Sequence, residues 1–245
     1  MKLEKLKLIA EKAKKDHQMK FTSLIHHIRA PLLEVCFHEL DRNKASGVDR
    51  VTKEHYGKNL KINLEDLVTR LKTETYTPKP VRRVEIPKSG KKEKRGLSIS
   101  CLDDKLIQMA VKKILEPIYE PLFLNSSYGY RPGRSCHGAT KALHRQFMKT
   151  STQYVVEVDI KGFFDHVQHY WMLRCLEERI GDPKFLWFLK LLLKTKVMKE
   201  GKIETSQLGT PQGSVLSPLL ANIYLHYVVD LWFERDFKKK MSRTL

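Results

Sequence analysis

The chain has 245 residues (28.7 kDa) and carries 46 Lys and Arg against 28 Asp and Glu, a formal charge of +18. With 41% hydrophobic residues it can build a real core, which excludes general disorder. The longest uncharged apolar stretch, Val215 to Leu225, is about half of the roughly 20 residues a membrane-spanning helix needs, and the N-terminus lacks the apolar block of a signal peptide. A soluble, cytoplasmic protein with no membrane partner is expected. Cys36, Cys101, Cys136 and Cys175 are too widely spaced for a CxxC pair or a dense disulfide framework and read as reduced thiols.

In chain order, the first twenty residues combine seven lysines, among them Lys12, Lys14 and Lys15, with Leu3, Leu6, Ile9, Ala10 and Ala13 at helical spacing. This predicts a basic amphipathic helix whose outer face is either simply solvated or in contact with phosphates. A second helix opens with Pro31 in its first turn, and a third carries Leu64, Leu67, Val68 and Leu71 on one stripe. The run from Val81 to Pro87 alternates like a strand, and with a second apolar run, Leu97 to Cys101, it predicts a hairpin with a basic tip. Asp103 is expected to cap the helix that follows, which turns Leu106, Ile107, Ala110, Val111, Ile114 and Leu115 inward. Tyr154 to Ile160 is the most strand-like segment of the chain; helices near 168–179 and 183–194, a short hairpin turning at Glu200-Gly201, and a long helix opening at Ser217-Pro218 complete the pattern.

Four segments can carry chemistry. Asp159 ends the β-branched run and precedes Gly162, a place where a carboxylate can reach a divalent ion, although an aspartate there also serves as a turn former or cap. Asp165 lies six residues on, about 20 Å away along an extended strand, and reads as a cap or structural acceptor rather than a second ligand unless the turn at Gly162 folds it back. The hairpin from Lys79 to Arg95 holds eight Lys or Arg, suited to a polyphosphate or to guarding a sheet edge. Gln207 to Asn222 places Gln212 in a Gly/Pro turn before a helix, and Ser127 to Ser135 interleaves Tyr and Arg on a Gly/Pro loop of the kind that grips a nucleic-acid strand.

These segments occur in a fixed order that resembles the fingers and palm of group II intron reverse transcriptase/maturases over essentially the whole chain. NKASGVDRVTKE resembles the family's first block, VRRVEIPK with the following KR its nucleotide-gripping hairpin, SYGYRPGRS the block near template and primer, VVEVDIKGFFDHV the first catalytic palm motif, and GTPQGSVLSPLLANIYL the next palm block. The resemblance implies an α+β, helix-rich right-hand polymerase fold with a small antiparallel palm sheet and no thumb. It divides the chain into an N-terminal extension (1–42), fingers (43–150) and a partial palm with interposed helices (151–245).

The resemblance also implies roles. Asp159 would ligate two Mg2+ ions, with the carbonyl of Ile160 on the nucleotide-bound one. Lys88 and Arg95 would neutralise the triphosphate, Phe164 would lie under the sugar and exclude a 2′-hydroxyl, with Phe163 turned to the core, and Gln212 and Gly213 would line the nucleotide pocket. Arg131 and Arg134 would contact the template, with Lys12, Lys14 and Lys15 on RNA. Implied partners are intron or template RNA, a DNA primer and deoxynucleoside triphosphates, with room for a homodimer. The implied reaction is attack of the primer 3′-hydroxyl on the α-phosphorus.

Several residues depart from the family pattern: Arg50 and Ser214 stand where it has glycine, and Ser98 and Ser100 fall in a run that is usually Pro-Leu-Gly-Ile-Pro. The YADD hairpin that completes the metal site is not reached before Leu245, so a fragment or truncated reading frame, inactive by itself, is expected. The competing expectation is a maturase-type module that grips intron RNA without synthesising DNA.

Overall fold

Helix α5 (Leu102–Tyr119) is the axis of the molecule because its apolar residues recur at helical spacing on all but one side: Leu106, Ile107, Ala110, Val111, Ile114, Leu115 and Ile118 are all fully buried. Each large side chain among them contributes roughly 1.5–3 kcal/mol by leaving water. The computed structural model describes residues 4–87, 94–199, 201–204, 208–210 and 213–240, with Arg95 described in its backbone alone.

Around α5 pack α1 (Glu4–Lys15) through Ile9 and Ala13, α2 (Ala30–Glu39) through Leu32, Leu33, Cys36 and Phe37, and α10 (Ser217–Leu225). Helix α2 has Pro31 in its first turn, as expected, where the missing N–H costs nothing. A short α3 (Lys53–Gly57), capped by Thr52, leads into α4 (Leu60–Lys72), which buries Leu64, Leu67 and Val68. Helices α6 (Cys136–Lys149), α7 (Phe163–His166), α8 (His169–Glu177) and α9 (Pro183–Leu193) follow. Asp182 caps α9 by accepting from the Phe185 N–H, and its other oxygen accepts from the N–H groups of Leu24 and Ile25. That carboxylate ties the N-terminal segment to α9, and one apolar cluster runs from Ile9 to Ile223 across all three expected divisions.

The sheet is mixed, in the order β2-β1-β3-β4. Strands β1 (Val81–Pro87) and β2 (Lys94–Ile99) pair antiparallel with Arg83 opposite Ser98, β1 runs parallel to β3 (Val197–Lys199), and β3 returns antiparallel as β4 (Lys202–Glu204). The resemblance implied a small antiparallel palm sheet; the sheet is small, and the parallel β1–β3 pairing, which makes it mixed, joins the hairpin to the later part of the chain.

Two further expectations are corrected. Residues 151–160 form neither helix nor strand, and Tyr154, Val155, Val156 and Val158 stand exposed. Strand propensity measures how well side chains fit a paired, half-buried surface, and no described strand pairs with this segment. Helix α5 begins at Leu102 without a side-chain cap, so Asp103 lies inside its first turn. Its carboxylate accepts instead from the Tyr56 hydroxyl and the Arg70 guanidinium, each at 2.8 Å, and so fastens α3 and α4 to α5.

Candidate nucleotide and template site

Residues 208–210 and 213–214 are held by two different parts of the chain. On one side, the N–H groups of Gly209 and Thr210 donate to the carbonyls of Val167 (2.7 Å) and Phe164 (2.8 Å), and His169 Nε2 donates to the Gly209 carbonyl at 2.7 Å. Gly209 has φ 85°, and a Cβ there would fall 2.7 Å from the Phe164 carbonyl oxygen. On the other side, Gly213 (φ 100°) lies so close to β2 that a Cβ would fall 2.7 Å from both Leu97 Cδ1 and the Ser98 carbonyl oxygen. Only glycine combines that positive φ with that approach. Two motifs distant in sequence therefore meet through these residues.

Behind them lies a buried polar chain that the sequence reading missed. Gln108 of α5 donates through Nε2 to Ser100 Oγ (3.3 Å), while its Oε1 accepts from Ser214 Oγ (3.0 Å) and from the Val215 N–H (3.4 Å). The available signal was the i, i+4 spacing of Asp104 and Gln108, two polar residues on a helix that is otherwise buried there.

Gly162 adopts a left-handed conformation (φ 62°), and its carbonyl accepts from the Asp165 N–H. This turn starts α7. Phe163 packs against the core with its ring on Tyr224, whereas Phe164 stands partly exposed beside it, ring centroids 5.5 Å apart. Asp159 and Ile160 are exposed just before the turn. Lys88 and Gln212 lie outside the described residues, as does the side chain of Arg95, whose backbone pairs with Ile86.

Of the expected template contacts, Arg131 is placed differently. Its side chain is 4% exposed, its Nε and Nη2 hold Glu120, and its Nη1 donates to the carbonyls of Leu124 and Ser127. With its donors spent inward, Arg131 braces the loop rather than reaching out of it. Arg134 is nearer the surface, on Asn125 and over the Tyr128 ring, and Tyr130 is 73% exposed with φ 54°. Asn222 of α10 donates to the Gly129 carbonyl at 2.8 Å, which docks this Tyr/Arg loop on the helix that follows Gly213. Lys12, Lys14 and Lys15 are exposed on the outer face of α1.

Loop 45–50 is held against the hairpin and α5. Arg82 and Lys105 donate to the carbonyls of Ser46 and Ala45, and Lys79 pairs with Asp49 at 3.0 Å. Burial pulls the Asp49 pKa upward, but the hydrogen bonds from Lys79 and the Val51 N–H outweigh it and hold the carboxyl below its ordinary value. Asp104 goes the other way: burial raises its pKa to about 6 despite the Tyr76 hydroxyl bonded to it.

Among the described residues no group of three or more His, Cys, Asp or Glu is placed to hold a metal ion. Asp159 with a neighbouring carbonyl falls short of a two-ion centre, which needs several converging carboxylates. The resemblance implies two magnesium ions for the complete enzyme, and of their donors the described residues include Asp159 and the Ile160 carbonyl.

The reverse transcriptase (RNA-dependent DNA polymerase) family matches residues 86–242. The chain belongs to that family. Its relatives place this chain among the group II intron-encoded members of the family. The group II intron-encoded protein LtrA of Lactococcus lactis subsp. cremoris is 37% identical over 222 residues, covering 90% of this chain and 37% of LtrA. An uncharacterized 91 kDa protein in a cob intron of Schizosaccharomyces pombe is 38% identical over 184 residues, covering 74% of this chain and 22% of that protein. The chain thus spans well under half the length of these relatives. A solved partial Cas6-RT-Cas1–Cas2 complex shares the fold at a TM-score of 0.54 and 24% identity, covering 86% of this chain and 34% of that one. No helix among the described residues is long and apolar enough to cross a membrane.

Proposed function

We propose that this reverse transcriptase chain supplies the fingers (43–150) and part of the palm (151–245) of a cytoplasmic RNA-directed DNA polymerase encoded by a group II intron, behind an RNA-binding extension (1–42). The observation that carries the reading is that Gly209 and Thr210 lie against Phe164 while Gly213 lies against β2 of the basic hairpin. A nucleotide bound there meets, in order, cations for its phosphates, a ring for its sugar and a glycine-lined turn for its base. Lys88 and Arg95 neutralise the triphosphate, Phe164 lies under the deoxyribose and opposes a 2′-hydroxyl, and Gln212 and Gly213 line the pocket. Asp159 and the carbonyl of Ile160 face the reacting phosphate, while Arg134 and Tyr130 face the template strand. The primer 3′-hydroxyl oxygen bonds to the α-phosphorus as the bond to the β,γ-diphosphate breaks.

Asp159 is the one carboxylate this reading assigns to the reacting phosphate, and residues 1–245 alone bind nucleotide without turning it over. Primer extension on an RNA template, run with residues 1–245 and with a chain extended to the relatives' length, tests both statements. Extension by the longer chain alone, lost in Asp159→Ala and opened to ribonucleotides in Phe164→Val, is expected. Extension by the short chain that Asp159→Ala abolishes would refute the binding-only role. A long chain inert with every template would favour the second reading, an RNA-gripping maturase module, which the exposed lysine face of α1 also supports.

A further inference from the structure

Far from Gly209 and Gly213 in sequence, a hollow of about 390 Å³ opens between the segment before α2, the C-terminal end of α4 and the first turns of α9, and none of its lining residues is among those that hold Gly209, Thr210 and Gly213. Its floor is apolar and aromatic: Ile28, Tyr76 and Phe188 are buried, with the Tyr76 and Phe188 rings 5.8 Å apart. Trp187 is 49% exposed at the wall, so much of its surface is open to a ligand. Lys184 and Glu74 form an ion pair at 3.1 Å on the rim and neutralise each other.

Two other cations remain on that rim. Arg29 and Lys72 line this hollow and also a second, shallower one of about 310 Å³, whose other walls include Pro31, Glu65 and Val68. Among the described residues neither cation is in an ion pair; the Arg29 Nε donates to the His26 carbonyl. His26, also on the rim, is lowered in pKa by burial and by Arg29 and Lys5, so near neutral pH it adds no charge.

We infer that the larger hollow takes a nucleobase stacked on Trp187, with the attached phosphate held by Arg29 and Lys72 where the two hollows meet. An apolar ligand would leave both cations idle, and a bare phosphate would leave the aromatic wall idle. A nucleotide uses both, because an indole face accepts any base and two neighbouring cations accept its phosphate. A surface of net charge +18 adds attraction toward such an anion at long range. The source is either a free nucleotide or a splayed nucleotide of single-stranded RNA. In the second case the inference rests on the RNA-binding reading, and the second hollow lies where the strand continues.

The test uses residues 1–245 with Trp171→Phe and Trp232→Phe, which leaves Trp187 as the sole tryptophan. Its fluorescence is titrated with UMP, with a short oligouridylate and with an abasic strand of equal length, while RNA binding is measured separately by filter retention. Saturable quenching by UMP assigns free nucleotide, and quenching by the oligonucleotide alone assigns RNA. In both cases Trp187→Ala, read by filter retention or calorimetry, should weaken that ligand about tenfold, and Lys72→Gln should weaken it with an unchanged melting temperature. RNA retained with no change at Trp187, or equal quenching by the abasic strand, overturns the pocket and leaves the RNA reading standing. Failure to retain RNA at all refutes the RNA reading, and the UMP titration then decides the pocket by itself.

Discussion

The hydroxyl of Ser214 donates to Gln108 Oε1 at 3.0 Å, and the same side-chain amide donates from Nε2 to Ser100 Oγ at 3.3 Å. Ser100 and Ser214 both stand at departures from the family pattern, one after the hairpin and one after Gly213. The structure shows that they are joined through a single buried glutamine. Departures that look unrelated along the chain form one polar network across it.

Gln108→Leu should therefore destabilise the protein by about 1–3 kcal/mol, because two buried hydroxyls and the Val215 N–H lose their partner without gaining water. Urea unfolding measures it. If the loss is repaired when Ser100 and Ser214 are also changed to Ala, the network is the cause; a loss that persists unchanged would assign it to packing of α5.

Arg50 has φ 56°, a left-handed backbone that costs a residue with a Cβ roughly 1–2 kcal/mol. Arg50→Gly should stabilise the protein by about 1 kcal/mol, since glycine adopts this conformation freely but loses more freedom on folding. The expected readout is a raised melting temperature, and a lowered one would mean that the Arg50 side chain makes a stabilising contact.

Asp104 should make stability fall with rising pH. Its folded pKa, about 6, lies above the ordinary 3.8, so the fold favours the protonated form. Its stabilising contribution is full below about pH 4, is lost as pH rises through about 6 and is constant above that, a change of about 3 kcal/mol. Asp104→Asn should flatten the unfolding free energy between pH 4 and 7. An unaltered slope would show that other groups set it.

Binding of RNA should weaken steeply with salt, because each phosphate neutralised releases a counterion. Replacing Lys12, Lys14 and Lys15 together by Gln should lower the slope of log affinity against log salt by about 2 if all three touch a single strand. A slope identical to that of the unchanged protein would remove α1 from the RNA surface.

What the sequence determined by itself was local: the helices with apolar stripes, Pro31 at a helix start, the hairpin β1–β2, and the ordered motifs that lead to the family. Periodicity, caps and turn residues act within a few positions, so the chain reports them directly. What tertiary structure alone decided was how distant pieces satisfy one another. Tyr154 to Ile160 has the composition of a strand, yet a strand exists only with a partner, and no described strand pairs with it. Arg131 has the composition of a template contact, yet Glu120, eleven positions away, takes its guanidinium inward. Gln108 looked like one more helix residue until two serines, eight and 106 positions distant, closed on it. Each depends on where a polar group finds its partner once the core has formed, which local pattern does not encode.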